Sequence, residues 1–581
     1  MKDIFLKFLK KNKWYLTIQI IFIFLNIYLF TFPAKIIGDM VDLLYDISAN
    51  KTLIIQNTIY LLFISLGLLI ARMPWRFLVS FIARKLEKNL KDELFKNFLK
   101  LKMGEIQDIK NGEIMSYFTK DVTEIRTAFY RVSSYGPRII ATFLITGFTM
   151  AQGVSFALTC ATLFPIIITA YLIIKIKKYV ENSFRISQAY FTDLSEYVQE
   201  STDSIRTTKA YCQEGNQLKE FIRKNKKLKS ANNAVDIHST LLSSCINICF
   251  GLCYGISLLY GSQLVLNHSI TIGDFVAFNG YIVMFYGTIS WLPGMIARFK
   301  RGQISYGRLD RFINLEKEKV LLLPEKEEIS LQGDIKISHL SFNYPSYLEE
   351  VIEDVSITIP QGKTLGIIGT VGSGKTTLMN LLLHLYAIPD GMIKIGNKDI
   401  NEIPIEILRE NICYITQDNF LFSNTIEKNI SLFKGDYTED DIINSTKDAI
   451  IYEEIQEMEN GIYTAIGERG VDLSGGQKQR VAISRAFLNR ADIVIFDDTF
   501  SALDNKTEKS VLENIKKMSE KKTCIIISSR ISDIKDADNI IVLEHGKIQE
   551  QGTHEELVKK EGNYYQFYRQ QLKNSETAEM L

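Results

Sequence analysis

The sequence predicts a multidomain membrane protein: an all-α six-helix transmembrane domain followed by an α/β domain. Three observations predict it. Long apolar segments fill the first half of the chain. From about Gly333, short alternating strands and turns replace them. Within that second half, "TLGIIGTVGSGKTTLMNLLL" reads as a strand, a Gly-rich loop and a helix in succession. The mean hydropathy of +0.03 is high for a chain with 23% charged residues, because it averages two unlike halves. With 68 Lys+Arg against 67 Asp+Glu, no global field favours nucleic acid.

Six segments reach the ~20 residues that a crossing requires. They are Tyr15–Ile37, Leu53–Phe81, Ile139–Leu158, Cys160–Ile176, Leu241–Leu264 and Phe275–Ala297. The third and fourth are parted only by a short uncharged turn around Ser155. The basic, amphipathic "MKDIFLKFLKKNKWYL" has no small-residue cleavage site after its first apolar run, and is expected as an interfacial helix. Lys and Arg crowd the N-terminus and the connectors after the second and fourth crossings. The positive-inside rule therefore puts both long connectors and both termini in the cytoplasm of a cytoplasmic-membrane protein. The expected divisions are a membrane domain over 1–315, a charged linker over 316–332 and the α/β domain over 333–575.

Several membrane positions are candidates for more than packing. Arg72 and Arg76 sit one turn apart, late in the second crossing. They either line a cavity open to an anionic substrate or snorkel to the inner interface. Tyr281, Phe285, Tyr286 and Trp291 form an aromatic face on the last crossing, suited to an apolar pocket or to helix packing. Cys245, Cys249 and Cys253 recur every fourth residue, with Ser257 continuing the row. That row reads as a small-residue seam between helices rather than a metal or heme contact.

Gly369-xxxx-Gly374-Lys375-Thr376 is a complete P-loop between a strand and a helix. Its residues Gly369, Thr370, Val371, Gly372, Ser373, Gly374, Lys375, Thr376 and Thr377 are expected to cradle the phosphates of ATP. Backbone N–H groups and the helix N-terminus favour that negative charge. Lys375 is expected at the β/γ phosphates and the Thr376 hydroxyl on Mg²⁺.

The remaining motifs extend the P-loop to a whole family. "LSGGQ" (Leu473–Gln477), followed by "KQRVAISRA", lies about a hundred residues after the P-loop, and "IVIFD" and "SALD" (Ser501–Asp504) come next. This series resembles the nucleotide-binding domain of ABC transporters, and the whole chain resembles a half-transporter of the type IV exporter fold. By that resemblance Tyr344 stacks on adenine, Gln417 contacts Mg²⁺ and the attacking water, and Asp497 holds Mg²⁺. Ser474, Gly475, Gly476 and Gln477 complete a partner's ATP site, Asp504 belongs to the loop that crosses the dimer, and "GERG" (Gly467–Gly470) is typical of exporters. The same resemblance implies that cytoplasmic segments near Gly104–Asn111 and Thr207–Asn216 touch nucleotide-binding domains.

Two positions depart from the family. Asp498 stands where a glutamate positions the attacking water, and Ser529 where a histidine senses the γ-phosphate. Asp498 keeps a carboxylate but is one methylene shorter, and a ~1 Å error in such geometry costs about a hundredfold in rate. Serine lacks the imidazole donor altogether. Asp498, Gln417 and Ser529 are the candidate catalytic positions of a site expected to hold ATP and hydrolyse it slowly. That combination resembles one subunit of a heterodimeric exporter, whose partner half-transporter carries the glutamate and the histidine. The expected activity is ATP-driven export of small amphipathic compounds through the lipid bilayer. A gated channel or regulatory subunit, and export of one dedicated peptide, lipid or heme-like molecule, are the competing readings.

Overall fold

The computed structural model describes residues 2–44, 47–107, 109, 111–318, 331–344, 350–467 and 473–579. It divides into two compact units, one of 1–99 with 110–315 and one of 100–109 with 316–581.

The first unit is helical. Its helices are α1 (Lys2–Lys11), α2 (Lys13–Leu43), α3 (Ile47–Phe98), α5 (Val122–Ala141), α6 (Phe156–Asp203), α7 (Ile205–Ala210), α8 (Glu214–Leu266), α9 (Ile272–Ile289) and α10 (Leu292–Ile313); the short α4 (Met103–Gln107) belongs to the other unit. Among the described residues four helical stretches are long and apolar enough to cross a membrane: Lys13–Leu43, Lys51–Phe98, Glu214–Leu266 and Ile272–Ile313. The other two predicted segments are helical as well. The third continues from α5 through a π-helical turn (Thr142–Thr146) into Gly147–Gly153, and the fourth opens α6, which runs unbroken from Phe156 to Asp203. Ser155 makes the break between them by capping α6, its hydroxyl accepting from the Leu158 N–H.

Helices α6 and α8 have 48 and 53 residues. At ~1.5 Å per residue they are over 70 Å long, against a hydrocarbon core of about 30 Å. Their excess length forms a hairpin of polar contacts: Ser183 with His238 (2.9 Å), Ser187 to Asn232 (2.5 Å) and Lys224 to Asp193 (2.6 Å). Small residues set the approach elsewhere. Cys249, Cys253, Ser257 and Gly261 form a buried stripe on α8, and a Cβ at Gly261 would meet the Phe275 ring at 2.7 Å. Cys249 and Cys253 pack in the helix core and also line an apolar cavity of the membrane unit, while Cys245, the first of the row, is only half-buried. A Cβ at Gly273 would overlap the Gly38 carbonyl oxygen, and the Gly273 N–H donates to Asp42 at 2.6 Å.

The second unit contains two sheets. An antiparallel one has the order β2-β1-β4-β5, from β1 (Ile335–Phe342), β2 (Ile352–Ile359), β4 (Ile393–Ile395) and β5 (Lys398–Asp399). The other has the order β10-β9-β3-β8-β7-β6, from β3 (Thr364–Ile368), β6 (Ile412–Ile415), β7 (Ile493–Asp497), β8 (Thr523–Ile527), β9 (Asn539–Glu544) and β10 (Lys547–Gly552). All its neighbours pair in parallel except β9 and β10. A parallel strand covered on both faces needs a continuous apolar run, and "IVIFD" and "TCIII" provide it. The two-residue period sorts their side chains. Val494, Phe496, Cys524 and Ile526 join one core with the helix of Gly475–Leu488, and Ile493, Ile495, Ile525 and Ile527 another with the helix of Lys375–Leu382. Each buried Ile, Val or Phe contributes roughly 1.5–3 kcal/mol.

Lys100–Ile109 packs with the second unit rather than with the helices on either side of it in sequence. Met103 packs against the P-loop-side core, Lys102 pairs with Glu316 at 2.5 Å, and the Glu318 N–H donates to the Lys100 carbonyl at 2.8 Å. α4 overlaps the first of the two segments expected to touch a nucleotide-binding domain, Gly104–Asn111. The second stays in the first unit, where Thr208 is the only buried residue of α7. Most of the expected linker, 319–330, lies outside the described residues.

The close approach at Gly273 predicts a mutational contrast. Gly273→Val should lower the melting temperature of the detergent-solubilised chain, by strain on the order of 1–3 kcal/mol. Gly67→Val, where a Cβ meets nothing within 4 Å, should leave it nearly unchanged.

Candidate functional site

The register of the parallel sheet assembles the site. Asp497 pairs with Ile527, and Ile527 with Ile367. The strands' C-terminal ends therefore lie side by side, where open α/β sheets bind ligands. The pairing continues one residue further, since the Asp498 N–H donates to the Ile527 carbonyl (2.9 Å) and the Ser528 N–H to the Ile367 carbonyl (3.1 Å). Gly369, Asp498 and Ser529 thus emerge at one edge, on loops leaving three adjacent strands.

The P-loop wraps the end of β3. Gly372 and Gly374 take φ values of +82° and +98°, which a side chain would strain. The Lys375 ammonium donates to the carbonyls of Gly369 and Thr370, both at 2.8 Å. Burial pulls its pKa below the usual lysine range, while Asp497 and Asp498 oppose the shift. Val371 is fully exposed at the loop tip, Ser373 is buried, and Thr377 shares a 3.0 Å hydrogen bond with the Tyr344 hydroxyl. Tyr344 is also edge-on to Phe342 and Tyr386, each with centroids 5.1 Å away.

The Thr376 hydroxyl donates to Asp497 at 2.9 Å, and Tyr414 donates to the same carboxylate oxygen at 2.8 Å. Burial raises the Asp497 pKa, and these two hydrogen bonds counter it. A hydroxyl beside a carboxylate is a hard-oxygen donor set, suited to Mg²⁺. When bound, that ion would neutralise phosphate charge. Thr376 and Asp497 are the residues that would hold it. Gln417 lies two residues beyond β6, exposed, and makes no hydrogen bond to either among the described residues.

Asp498 is half-buried with φ +47°, a left-handed conformation that Asp reaches at lower cost than most residues. Ser529 is exposed, and its carbonyl accepts from Gln571 at 2.8 Å. Gln571, from the C-terminal helix (Asn563–Glu579), also accepts the Ile531 N–H at 2.9 Å, so one side chain clamps this loop on both sides.

The signature segment is a helix start. Ser474 caps the helix Gly475–Leu488 through a reciprocal pairing with Gln477, which leaves Gly475 and Gly476 in its first turn. Gln477 also donates to Glu454 at 2.9 Å. The buried Gln479 binds the neighbouring loop twice, donating to Ser501 (3.2 Å) and accepting the Ala502 N–H (2.9 Å). Asp504 caps the helix Asn505–Ser519 by accepting the Thr507 N–H, and these hydrogen bonds hold its pKa below the usual carboxylate range. Of "GERG", all but Gly467 lie outside the described residues.

Sequence reasoning missed Tyr414, Gln479, Gln571 and the pair Asp533 and Glu508. Tyr414 and Gln479 carry a faint signal, as polar groups inside otherwise apolar positions. Asp533 is buried, accepts from Ser528 and lies near the Glu508 carboxylate; burial first, then that charge, pushes its pKa up to about 7.

Two family models match the chain: the ABC transporter transmembrane region over residues 16–289, and the ABC transporter domain over residues 352–501. A Bacillus subtilis (strain 168) protein, YheI, described as a probable multidrug resistance ABC transporter ATP-binding/permease protein, is 31% identical over 98% of both chains. MdlA of Escherichia coli (strain K12), described as a multidrug resistance-like ATP-binding protein, is 28% identical over 93% of this chain and 91% of its own. The structure of a bacterial Atm1-family ABC exporter with ATP bound superposes with a TM-score of 0.83, covering 97% of this chain and 99% of that one at 22% identity. The chain belongs to the ABC transporter family. It has the half-transporter arrangement, a membrane domain followed by a nucleotide-binding domain, in the type IV exporter fold.

Two outcomes follow from this geometry. Tyr414→Phe should weaken Mg²⁺-dependent ATP binding about tenfold, the scale of a lost support behind a metal ligand, and leave binding in EDTA unchanged; a fluorescent ATP analogue measures both. Asp533 stays protonated in the fold up to about pH 7, whereas in the unfolded chain it ionises near 4. Its stabilising contribution is complete below about pH 4 and lost as pH rises through about 7. The melting temperature should therefore fall between about pH 4 and 7, and less steeply in Asp533→Asn, which keeps an acceptor for Ser528.

Proposed function

We propose that the chain is one subunit of an ATP-driven exporter that moves amphipathic or drug-like compounds out across the cytoplasmic membrane. It works as a heterodimer, supplying a slowly hydrolysing ATP site and an intact signature motif. The observation that carries this reading is the shared edge of Asp498 and Ser529. Both replacements flank the same P-loop, while Lys375, Thr376 and Asp497 retain a binding arrangement. In that division of labour this chain's P-loop cradles the phosphates and Tyr344 receives the adenine. Gln417 reads the phosphate end, and Asp498 positions water poorly for attack. Ser474, Gly475, Gly476 and Gln477 reach the partner's ATP, with Asp504 on the loop that crosses between subunits. Closure of the two nucleotide domains is passed to the membrane helices through α4 and α7, turning an inward-open state outward-open. Both termini are cytoplasmic, in keeping with the basic connectors.

An apolar cavity in the membrane unit supports the substrate class. It has a volume of about 230 Å³, with Phe143, Ile246, Phe250, Phe285, Tyr286 and Ile296 among its lining residues. Phe285 and Tyr286 are the part of the predicted aromatic face that reaches it; Tyr281 is buried in the helix core instead. The relatives described as multidrug resistance proteins align over nearly the whole chain, which favours this class over a dedicated cargo.

The purified chain alone should hydrolyse ATP slowly. Asp498→Glu alone should change its rate by only a few-fold. Asp498→Glu combined with Ser529→His should raise it by up to about a hundredfold, the scale of corrected water geometry. Full turnover from Asp498→Glu alone, or brisk hydrolysis by the unaltered chain, sinks the paired-loss reading.

A further inference from the structure

The C-terminal helix (Asn563–Glu579) is mounted as a rigid arm. Tyr564 is fully buried with its hydroxyl 2.7 Å from His554 Nδ1, and Phe567 and Tyr568 pack against the same core. The Asn563 amide donates to Glu544 at 2.9 Å, and the Tyr564 N–H to Glu550 at 3.2 Å. Positions 564, 567, 568 and 571 fall on one stripe of this helix. Gln566, Arg569, Gln570 and Leu572 are exposed on its other sides, whereas Gln571 is half-buried. A glutamine thus ends an otherwise aromatic stripe, and its amide meets the loop after β8.

That loop has two backbone groups which its own elements do not serve. The Ile531 N–H opens the short helix Ile531–Ile534, where a helix start leaves its donors without intrahelical partners. Arg530, at the N-cap, supplies no side-chain cap. The Ser529 carbonyl lies beyond Ile527, the last paired residue of β8. A glutamine amide carries an acceptor and a donor side by side. Gln571 Oε1 accepts the Ile531 N–H at 2.9 Å, and Nε2 donates to the Ser529 carbonyl at 2.8 Å. Arg530, between them, is tied down separately. Its N–H donates to Ser528 Oγ at 3.0 Å, and its guanidinium to Glu508 at 2.7 Å and to the Ser501 carbonyl at 2.8 Å. The loop is therefore fixed from the sheet side by its own residues and from outside by Gln571.

The length of the side chain at 529 makes this support matter. A long side chain can rotate to correct a misplaced backbone, but a serine hydroxyl sits directly on Cβ and goes where the backbone puts it. Groups at a functional site need holding to within about 0.5 Å by side chains that are themselves locked. Gln571 meets that condition, because the buried Tyr564 anchors its helix two turns earlier.

We propose that Gln571 is a positioning residue of the ATP site: from the C-terminal helix it fixes the backbone at Ser529, and with it this loop's approach to the γ-phosphate. The proposal rests on the reading above only for the claim that the loop at Ser529 faces that phosphate.

The test is equilibrium binding of radiolabelled ATP and ADP, with Mg²⁺ and on ice, to the full chain in phosphatidylcholine nanodiscs. Amide hydrogen exchange over 528–533 is measured on the same samples. Gln571→Met keeps the length and bulk of the side chain and removes both hydrogen bonds. It should speed exchange at the Ile531 amide about tenfold, the scale of one lost hydrogen bond. ATP should bind about three- to tenfold more weakly, by the same reckoning, and ADP within about twofold of the unaltered chain. Gln570→Ala, on the exposed side of the same helix, should change neither. Unaltered exchange at Ile531 in Gln571→Met overturns the proposal. So does an unaltered ratio of ATP to ADP affinity, since a merely structural role would move both nucleotides or neither. Ser529→Ala separates the two readings. A normal ratio there with a lowered one in Gln571→Met removes the serine hydroxyl from the phosphate and leaves Gln571 as the support of the loop backbone. The opposite pair of results removes Gln571 and leaves Ser529.

Discussion

The pairing of β3, β8 and β7 in one parallel register is the constraint on which the nucleotide site depends. Because Ile367, Ile527 and Asp497 are level, the loops that follow leave the sheet at the same height. Gly369, Asp497, Asp498 and Ser529 are then neighbours without any loop having to reach. Apolar runs buried on both faces lock the register, because a one-residue slip would exchange the two cores that alternate residues serve. A charge such as Asp497 can sit at the end of so apolar a strand only because Thr376 and Tyr414 satisfy it.

The membrane unit is organised by a different rule. Lipid offers no hydrophobic drive for helices to associate, so close packing of small residues takes its place. Gly38 against Gly273, and the stripe from Cys249 to Gly261, are where that packing is tightest. Charge is then the distinguishing feature along the helices. Paired guanidiniums tie α5 to α3 (Arg126 with Glu87) and α10 to α5 (Arg298 with Glu124). The segment Lys100–Ile109 joins this helical architecture to the nucleotide-binding unit by chain connectivity and, by packing, belongs to the latter.

Much of this was legible in the sequence, for identifiable reasons. P-loop, signature and "IVIFD" are local strings whose chemistry depends on backbone shape, so spacing suffices to read them. The cysteine row was readable because helical periodicity is. The π-helical turn at Thr142–Thr146 was not, because it leaves no mark in hydropathy. Tyr414, Gln571 and the Arg138–Trp291 contact were out of reach for another reason: each joins positions dozens to hundreds of residues apart, and only the fold brings them together. Ser529 stood out by the missing histidine, but its placement beside Asp498 needed the strand register.

The central claim is that this chain's own P-loop keeps its ATP intact. The direct measurement is photolabelling of the complex, as isolated from its native membrane, with 8-azido-ATP radiolabelled on either the α or the γ phosphate. Samples are incubated with Mg²⁺ for increasing times before irradiation. The account predicts that γ-label on this chain persists in step with α-label while the partner loses its γ-label. Loss of γ-label from this chain at the partner's rate would contradict it.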